Sequence, residues 1–158
     1  MIKPIPFLLI ALVMLFSCEK TEKGALDNDT LARRLFSILK DDDYDKAESL
    51  IPDKGTYRKI MKEWKNVEAE ESEYERMAED SKLHYTGVQS MIGGWAGSKY
   101  VNTHVEVMKE GALQVAKVTT KFEINTVAYK YTFTSCKYNG RWFYMGDMMW
   151  VAKEAAEN

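Results

Sequence analysis

The chain has 158 residues, of which 46% are hydrophobic, and its 22 basic and 24 acidic side chains give a net charge of −2. This length is enough for one domain with a real hydrophobic core, and the small negative charge excludes a nucleic acid as the expected partner. Two cysteines without a C-x-x-C pair and two histidines far apart in the chain give no zinc-ligand spacing.

The first predicted element is an apolar run over residues 7–16, which follows Lys3 and ends at Ser17. A helix that crosses a bilayer needs about 20 apolar residues, so a run of this length is too short to span. A positive start, a short apolar segment and a small residue before a cut are typical of a signal peptide. We therefore predict that residues 1–17 are a signal peptide.

The residues Leu15-Phe16-Ser17-Cys18 resemble the lipobox of bacterial lipoproteins. The resemblance implies cleavage before Cys18 and a lipid on its sulfur, hence a membrane anchor in the bacterial cell envelope, with inner and outer membrane left open. An ordinary secretory signal with a cysteine near the cut is the alternative. The polar residues 18–27 then form a tether. Cleavage, which removes Lys3, leaves 141 of the 158 residues and a net charge of −3.

The first half of the folded chain has helical periodicity. Leu31, Leu35 and Leu39 share one face and predict a helix over residues 28–40. A short helix follows from Asp42 or Asp43 and stops near Pro52. A longer apolar stripe predicts one long helix over residues 56–81.

The outer side of that long helix carries seven acidic residues and one arginine. A solvated helix face is the first interpretation, and a docking face for a basic partner is the alternative. The acidic residues are Glu68, Glu70, Glu71, Glu73, Glu75, Glu79 and Asp80.

From Lys99 onward the period is two, which is typical of strands. A glycine-rich loop over residues 86–98 leads into a half-buried strand over residues 101–107. The next strand, residues 112–125, changes phase near residues 116–117, which predicts a bulge and a curved sheet. A third strand over residues 127–134 and an Asn-Gly hairpin turn lead into a last strand over residues 142–151.

The last predicted strand is apolar on both faces, which indicates burial on both sides. Because three helices cover only one side of a four-stranded sheet, one of its two apolar sets should lack helix cover. We expect either a homodimer that packs sheet to sheet on this stripe or a pocket lined by it. The two sets are Trp142, Tyr144, Met148 and Trp150, and Phe143, Met145, Met149 and Val151.

The order of helices and strands, with "DDDYDKAESLI" in the second helix and "NGRWFYMGDM" in the last hairpin, resembles the cystatin-like, nuclear-transport-factor-two-like superfamily over residues 28–151. The resemblance implies an α+β fold in which two to three N-terminal helices pack on a curved four-stranded antiparallel sheet, with residues 28–158 forming one domain. Some members of that superfamily, such as ketosteroid isomerases and polyketide cyclases, are enzymes with an acid and tyrosines in an apolar cone, and many are binding or dimerisation modules.

Asp147 is the one candidate general base, and its alternative is an acid that points to water. His104 is expected on an exposed polar face, and His84 has no predicted partner. Met145 and Met148 have a spacing seen in copper sites, but residues three apart in a strand face opposite sides, so core packing is the prediction. Cys136 is interpreted as a small strand residue. We predict no metal and no cofactor.

Beyond the lipidation site, the tentative ligand-binding or interface residues are mostly aromatic. They are Trp64, Trp95, Tyr129, Trp142, Tyr144, Asp147, Met148 and Trp150. The sequence favours a membrane-anchored, non-catalytic binding or protein-interaction lipoprotein, whose partner is an unknown protein or small molecule. The alternatives are an isomerase-like or cyclase-like enzyme that uses a cone pocket, and an immunity or inhibitor lipoprotein that captures a toxin through the acidic helix.

Overall fold

Helices come first and strands second in the computed structural model, which describes residues 23–92, 94–110 and 113–151. The predicted signal peptide and Cys18 lie outside the described residues. The elements are α1 (Asn28–Asp41), α2 (Tyr44–Ala47), α3 (Lys54–Lys65), α4 (Glu71–Met91), β1 (Lys99–Lys109), β2 (Gln114–Ile124), β3 (Val127–Tyr138), β4 (Arg141–Tyr144) and β5 (Met149–Val151). The α+β class and the curved antiparallel sheet are confirmed.

Helix α1 forms where the sequence predicts it. The Asp27 side chain accepts a hydrogen bond from the Thr30 backbone N–H at 2.7 Å, and Asp42 ends the helix in the left-handed conformation. The leucines of its apolar face are fully buried. The short helix α2 follows, also as predicted.

The single helix predicted over residues 56–81 is wrong, because two helices occupy this region. Asn66 adopts φ +56° and ends α3, and its backbone N–H bonds to the Met61 carbonyl. Glu70 and Glu73 then form a reciprocal capping box that starts α4. The stripe had been extended through Glu71, an exposed acid rather than a core residue. The break lets α3 and α4 turn to different parts of the sheet.

The predicted glycine-rich loop is shorter than expected. Helix α4 continues through Gly87 to Met91, because Tyr85 and Val88 on either side of the glycine are buried and hold the helix in place. Only residues 92–98 connect α4 to β1.

The sheet has the order β1-β2-β3-β4, and β5 pairs with β3 beyond the end of β4. Pairing between β2 and β3 runs without a register shift from Gln114 to Ile124, so the bulge predicted near residues 116–117 is wrong. The irregularities lie instead in the pairing of β1 with β2, between Tyr100 and Asn102 and between Val107 and Lys109.

Two apolar clusters explain why the apolar residues of β2 switch from one face of the strand to the other near residues 116–117. One face of the sheet, called the inner face, packs Val118 and Phe122 against α1 and the end of α4. The opposite face, called the outer face, packs Val115 and Cys136 against α3. The strand thus buries a different face at each end while its backbone stays regular.

The last strand is also divided. Asn139 and Gly140 make the predicted hairpin turn with φ +49° and +77°, but β4 ends at Tyr144, and β5 begins only at Met149. Between them the chain bends at Gly146, whose φ of +87° suits glycine. A Cβ there would lie 3.1 Å from the Met77 carbonyl oxygen of α4.

The uncovered apolar stripe predicted on the last strand is wrong for the side chains that the structure describes, with Met149 as the exception. Trp142, Tyr144 and Met148 are buried in the inner cluster, and Phe143 and Met145 are buried in the outer one. Helix α3 covers the outer face at this end, which the prediction of one long helix had left bare. A dimer or pocket built on this stripe therefore loses its basis.

Candidate interaction surface

The aromatic residues predicted as a site do not converge on a pocket. Trp95 is buried and stacks on Phe122 with ring centroids 4.9 Å apart, and Tyr129 stacks on the same ring at 5.7 Å. Trp64 belongs to the outer cluster, on the other side of the sheet. The side chain of Trp150 lies outside the description. Trp95, Trp142, Tyr144 and Met148 are buried in the core, and Tyr129 and Trp64 pack against it rather than line a cavity.

Asp147 bridges the gap between β4 and β5. One of its carboxylate oxygens accepts the Thr134 backbone N–H at 2.6 Å, and the other accepts the Thr134 hydroxyl. The carboxylate therefore replaces the strand pairing that β3 loses where β4 ends. Neither proposed role, as a catalytic base or as a water-facing acid, describes this half-buried and fully engaged group.

The cleft beside Asp147 is small and polar. His84, for which the sequence offered no partner, makes a 2.7 Å hydrogen bond between its Nδ1 and the Gly146 carbonyl oxygen. The volume of this cleft, about 160 Å³, is below the ~300–1,000 Å³ of ordinary small-molecule sites. Its lining residues are Tyr57, Glu73, Arg76, Met77, Asp80, His84, Met145, Gly146 and Asp147.

The remaining chemical candidates are structural. Cys136 is fully buried, and burial raises the pKa of its thiol to about 12, which disfavours the reactive thiolate. Met145 and Met148 pack into different clusters, so the predicted core packing is confirmed, although a bend at Gly146 rather than a continuous strand separates them. Within residues 23–92, 94–110 and 113–151, no group of three or more His, Cys, Asp or Glu side chains is arranged to hold a metal ion.

Local partners engage much of the acidic helix face. Glu68 pairs with Lys62, and Glu71 pairs with Lys54, both across the break between α3 and α4. Glu70 and Glu73 cap the start of α4. This arrangement agrees with a solvated face.

The β4 edge of the sheet is closed by other parts of the chain. Ala25 and Trp142 exchange both backbone hydrogen bonds at 2.8 Å, and the Tyr144 N–H donates to the Leu50 carbonyl at 2.9 Å. The Gly24 N–H also donates to the Ser49 carbonyl. Gly24 and Ala25 are therefore packed against the domain, although both lie within the tether predicted over residues 18–27.

The opposite edge, formed by β1 on its side away from β2, is open. We call this side the β1 edge. Within the part of the chain that the structure describes, β1 pairs only with β2. Four large apolar side chains of this strand are between 38% and 51% exposed, and they are Val101, Val105, Val107 and Met108.

The valines of the β1 edge extend the inner core. Val105 pairs with Val118, and Val107 pairs with Ala116, and both of these β2 partners are completely buried. The apolar inner face therefore continues onto an edge where nothing covers it within the described residues. A half-buried strand was predicted for residues 101–107, but this strand is mostly exposed on both faces.

The β1 edge is held in place at both ends. Near its start, the Tyr100 hydroxyl donates to Asp29 of α1 at 2.5 Å, and the Arg33 guanidinium lies 4.2 Å from the Tyr100 ring centroid. Near its end, the Lys109 ammonium donates to the Glu63 carbonyl of α3 at 3.2 Å. A strand fixed in this way loses little conformational freedom when it pairs.

On the outer face, a polar groove of about 540 Å³ runs beside the β1 edge. His104 lies here and is exposed, as predicted. The groove is lined by Asn102, Thr103, His104, Thr119, Lys121 and Lys130. The edge is thus apolar on its inner face and polar on its outer face.

Sequence reasoning missed this surface although two signals for it were present. Residues 101–107 alternate valine with polar side chains, and β1 is the first strand of a meander, which leaves it on the outside of the sheet. The densest aromatic residues of the sequence are the ones that the core requires.

No helix among the described residues is both long enough and apolar enough to cross a membrane. Compared with known proteins, the chain matches no family model, no curated sequence and no solved structure, so its function is argued from this surface.

Proposed function

We propose that this protein is a lipid-anchored, non-catalytic interaction domain of the bacterial envelope that binds a protein partner through its β1 edge. The observation that carries the proposal is a regular strand edge with exposed valines, since an unpaired edge readily adds another strand. Main-chain hydrogen bonds would give affinity, and the alternating side chains would give selectivity.

The location of the anchor supports the proposal. The chain enters the fold at the β4 edge, where Ala25 pairs with Trp142. Three strand spacings of ~4.8 Å separate that edge from β1, or about 14 Å. The residues between Cys18 and Lys23 span at most roughly 17 Å when extended. A lipid on Cys18 would thus attach the domain to the membrane from the side of the β4 edge, which is the edge opposite β1.

The two alternatives have weaker support. Asp147, the one candidate base, has both carboxylate oxygens engaged by Thr134. In the acidic helix, Glu68 and Glu71 are paired with lysines of the same chain. No observation comparable to the open edge favours an enzyme or a toxin-capturing protein.

The interaction is tested by photo-crosslinking in cells that express the full chain. Photo-reactive benzoylphenylalanine replaces Val107 on the β1 edge or, as a matched control, Leu83, which is 68% exposed on α4. We expect a discrete protein adduct from position 107 and none from position 83. Equal adducts at both positions, or none at either, would contradict the proposal.

The anchor is tested separately. We expect Cys18→Ala to release the protein from the membrane fraction, because the lipid would have no attachment point. A Ser17→Ala variant keeps the cysteine and a small residue before it, and it should stay in that fraction. A Cys18→Ala protein that remains with the membrane would show that the lipid anchor is wrong.

A further inference from the structure

We propose that the occupant of the β1 edge is a second copy of this chain, paired antiparallel through β1 with Val105 opposite Val105. This inference rests on the proposed function and names the partner. The pairing would join two sheets into one continuous sheet about a twofold axis perpendicular to it.

The regular part of β1 limits the possible registers. Its pairing with β2 is uninterrupted only over residues 102–107, because register shifts lie on both sides. A twofold axis perpendicular to the sheet keeps each side chain on its own face, so paired residues must have the same parity. Axes at residue 104 and at residue 105 are the two that use this stretch most fully.

Charge distinguishes these two registers. An axis at Val105 places His104 of each copy opposite Glu106 of the other, which is a favourable polar pair on the outer face. An axis at His104 instead sets the two histidines against each other and Glu106 opposite the neutral Asn102, so the favourable pair is lost. The register centred on Val105 is therefore favoured.

The inner face favours the same register. Val105 lies opposite Val105 of the other copy, and Val107 lies opposite Thr103 of the other copy. The exposed valines thus form a cross-strand apolar row. That row continues the core already formed by Val118 and Ala116. Pairing would thus cover the apolar side chains that the free chain leaves in water.

The predicted anchors are compatible with this dimer. The twofold axis is perpendicular to the sheet, so the two β4 edges lie at opposite ends of the joined sheet and at the same height along the axis. Both chains can then reach one membrane when the axis lies along its normal. A single strand pair buries less than the roughly 1,200 Å² of a typical stable complex, so membrane confinement would aid the association.

The experiment is disulfide trapping of the purified full chain in detergent with a mild oxidant. Val105→Cys places two thiols opposite each other, where cross-strand Cβ atoms lie about 4.5–5.5 Å apart, close to disulfide geometry. We expect a covalent dimer from this variant. The native Cys136 is fully buried and does not compete.

Matched variants test the register. Thr103→Cys alone and Val107→Cys alone should give no dimer, because each thiol is about 13 Å from its copy. The two substitutions together should give one. Leu83→Cys, exposed on α4, should remain monomeric.

Charge substitution gives a second measurement that needs no thiol. Glu106→Lys should weaken association roughly two- to thirtyfold, since two polar pairs become unfavourable. The double variant His104→Glu with Glu106→Lys should restore it. Analytical ultracentrifugation in detergent measures both.

Two outcomes would overturn the inference. The first is the absence of a Val105→Cys dimer, and the second is similar cross-linking at every position. If benzoylphenylalanine at Val107 still forms an adduct with a different protein, the proposed function stands and the second copy is wrong. If it forms none, both proposals fail.

Discussion

The two edges of the sheet differ in whether other parts of the chain pair with them. At β4, Ala25 and Leu50 supply backbone partners from outside the sheet, so the edge is closed within the chain. At β1, a regular stretch with exposed valines has only β2 as a strand partner in the described structure. Among the described residues, β4 has both sides engaged by backbone partners, whereas β1 keeps one side available for pairing.

The largest predicted effect comes from side-chain truncation at the closed edge. Trp142→Ala should lower the free energy of unfolding by about 3–5 kcal/mol, because the ring is buried in the inner cluster. Val107→Ala on the half-exposed β1 edge should change it by less than about 0.5 kcal/mol. Urea unfolding of the soluble chain from residue 19 onward measures both, and similar losses would remove the contrast between the edges.

The next prediction compares two glycine-to-alanine variants, one with a steric clash and one with only an unfavourable backbone conformation. A Cβ on Gly24 would lie 2.8 Å from the Trp142 carbonyl oxygen, and its φ is +80°. Gly140 has a φ of +77° and open space around it. Gly140→Ala should therefore cost only the left-handed conformation, about 1–2 kcal/mol, and Gly24→Ala should cost more.

The same pair of variants also tests the closure of the β4 edge. Hydrogen exchange at the Trp142 amide should become faster in Gly24→Ala, because the extended segment is displaced from the edge. In Gly140→Ala the exchange rate of this amide should be unchanged when the two variants are compared under conditions of equal free energy of unfolding. Equal stability losses in the two variants would mean that the Gly24 contact does not hold this edge.

Asp147 provides an intermediate effect. Asp147→Ala should lower the free energy of unfolding by about 1–3 kcal/mol, since it leaves the half-buried Thr134 N–H without its acceptor. Asp147→Asn keeps an acceptor oxygen and should lose less. Denaturant unfolding and exchange at the Thr134 amide measure the two variants, and no difference between them and the unmodified chain would remove the bridging role.

The smallest effect concerns the hydrogen bond between Tyr100 and Asp29, which fixes the start of β1 to α1. The hydrogen bond from Tyr100, followed by that from Arg33, lowers the pKa of Asp29 in the folded protein. Its stabilisation is therefore present above the unfolded pKa and is lost as the pH falls through the folded value. Asp29→Asn should cost less than about 1 kcal/mol at neutral pH.

Comparison across pH checks the sign of this contribution. The difference in stability between Asp29→Asn and the unmodified chain should shrink as the pH falls through the lowered pKa of the Asp29 carboxyl in the folded protein. A difference that stays constant with pH would show that the ionised carboxylate of Asp29 contributes nothing.

Much of the fold could be predicted because local signals agreed with the final structure. The Asp27 cap, the period of α1 and the Asn-Gly turn each act within a few residues, so they are readable without tertiary context. The helix break at Asn66 was missed because any residue other than glycine in the left-handed conformation is a weak signal. The prediction of one long helix then left the outer face uncovered.

The candidate site could be predicted less well, because burial depends on which elements meet. Trp142 and Tyr144 were expected at a surface, yet they are buried in the inner cluster together with residues of α1. Val105 and Val107 were expected to be half-buried, yet no helix among the described residues covers their side chains, which are 38% and 50% exposed. The likeness to cystatin-like proteins, the anchor on Cys18 and the binding function stay predictions.

Hydrogen exchange of the two edges in the full chain, measured in detergent over a range of protein concentrations, tests the central claim most directly. The account predicts that alternate amides within residues 102–107 of β1 exchange rapidly in dilute protein and become protected as concentration rises. The Trp142 and Tyr144 amides of β4 should be protected equally throughout. Slow exchange along β1 at every concentration, or fast exchange at every concentration, would contradict an open edge that pairs with a second copy.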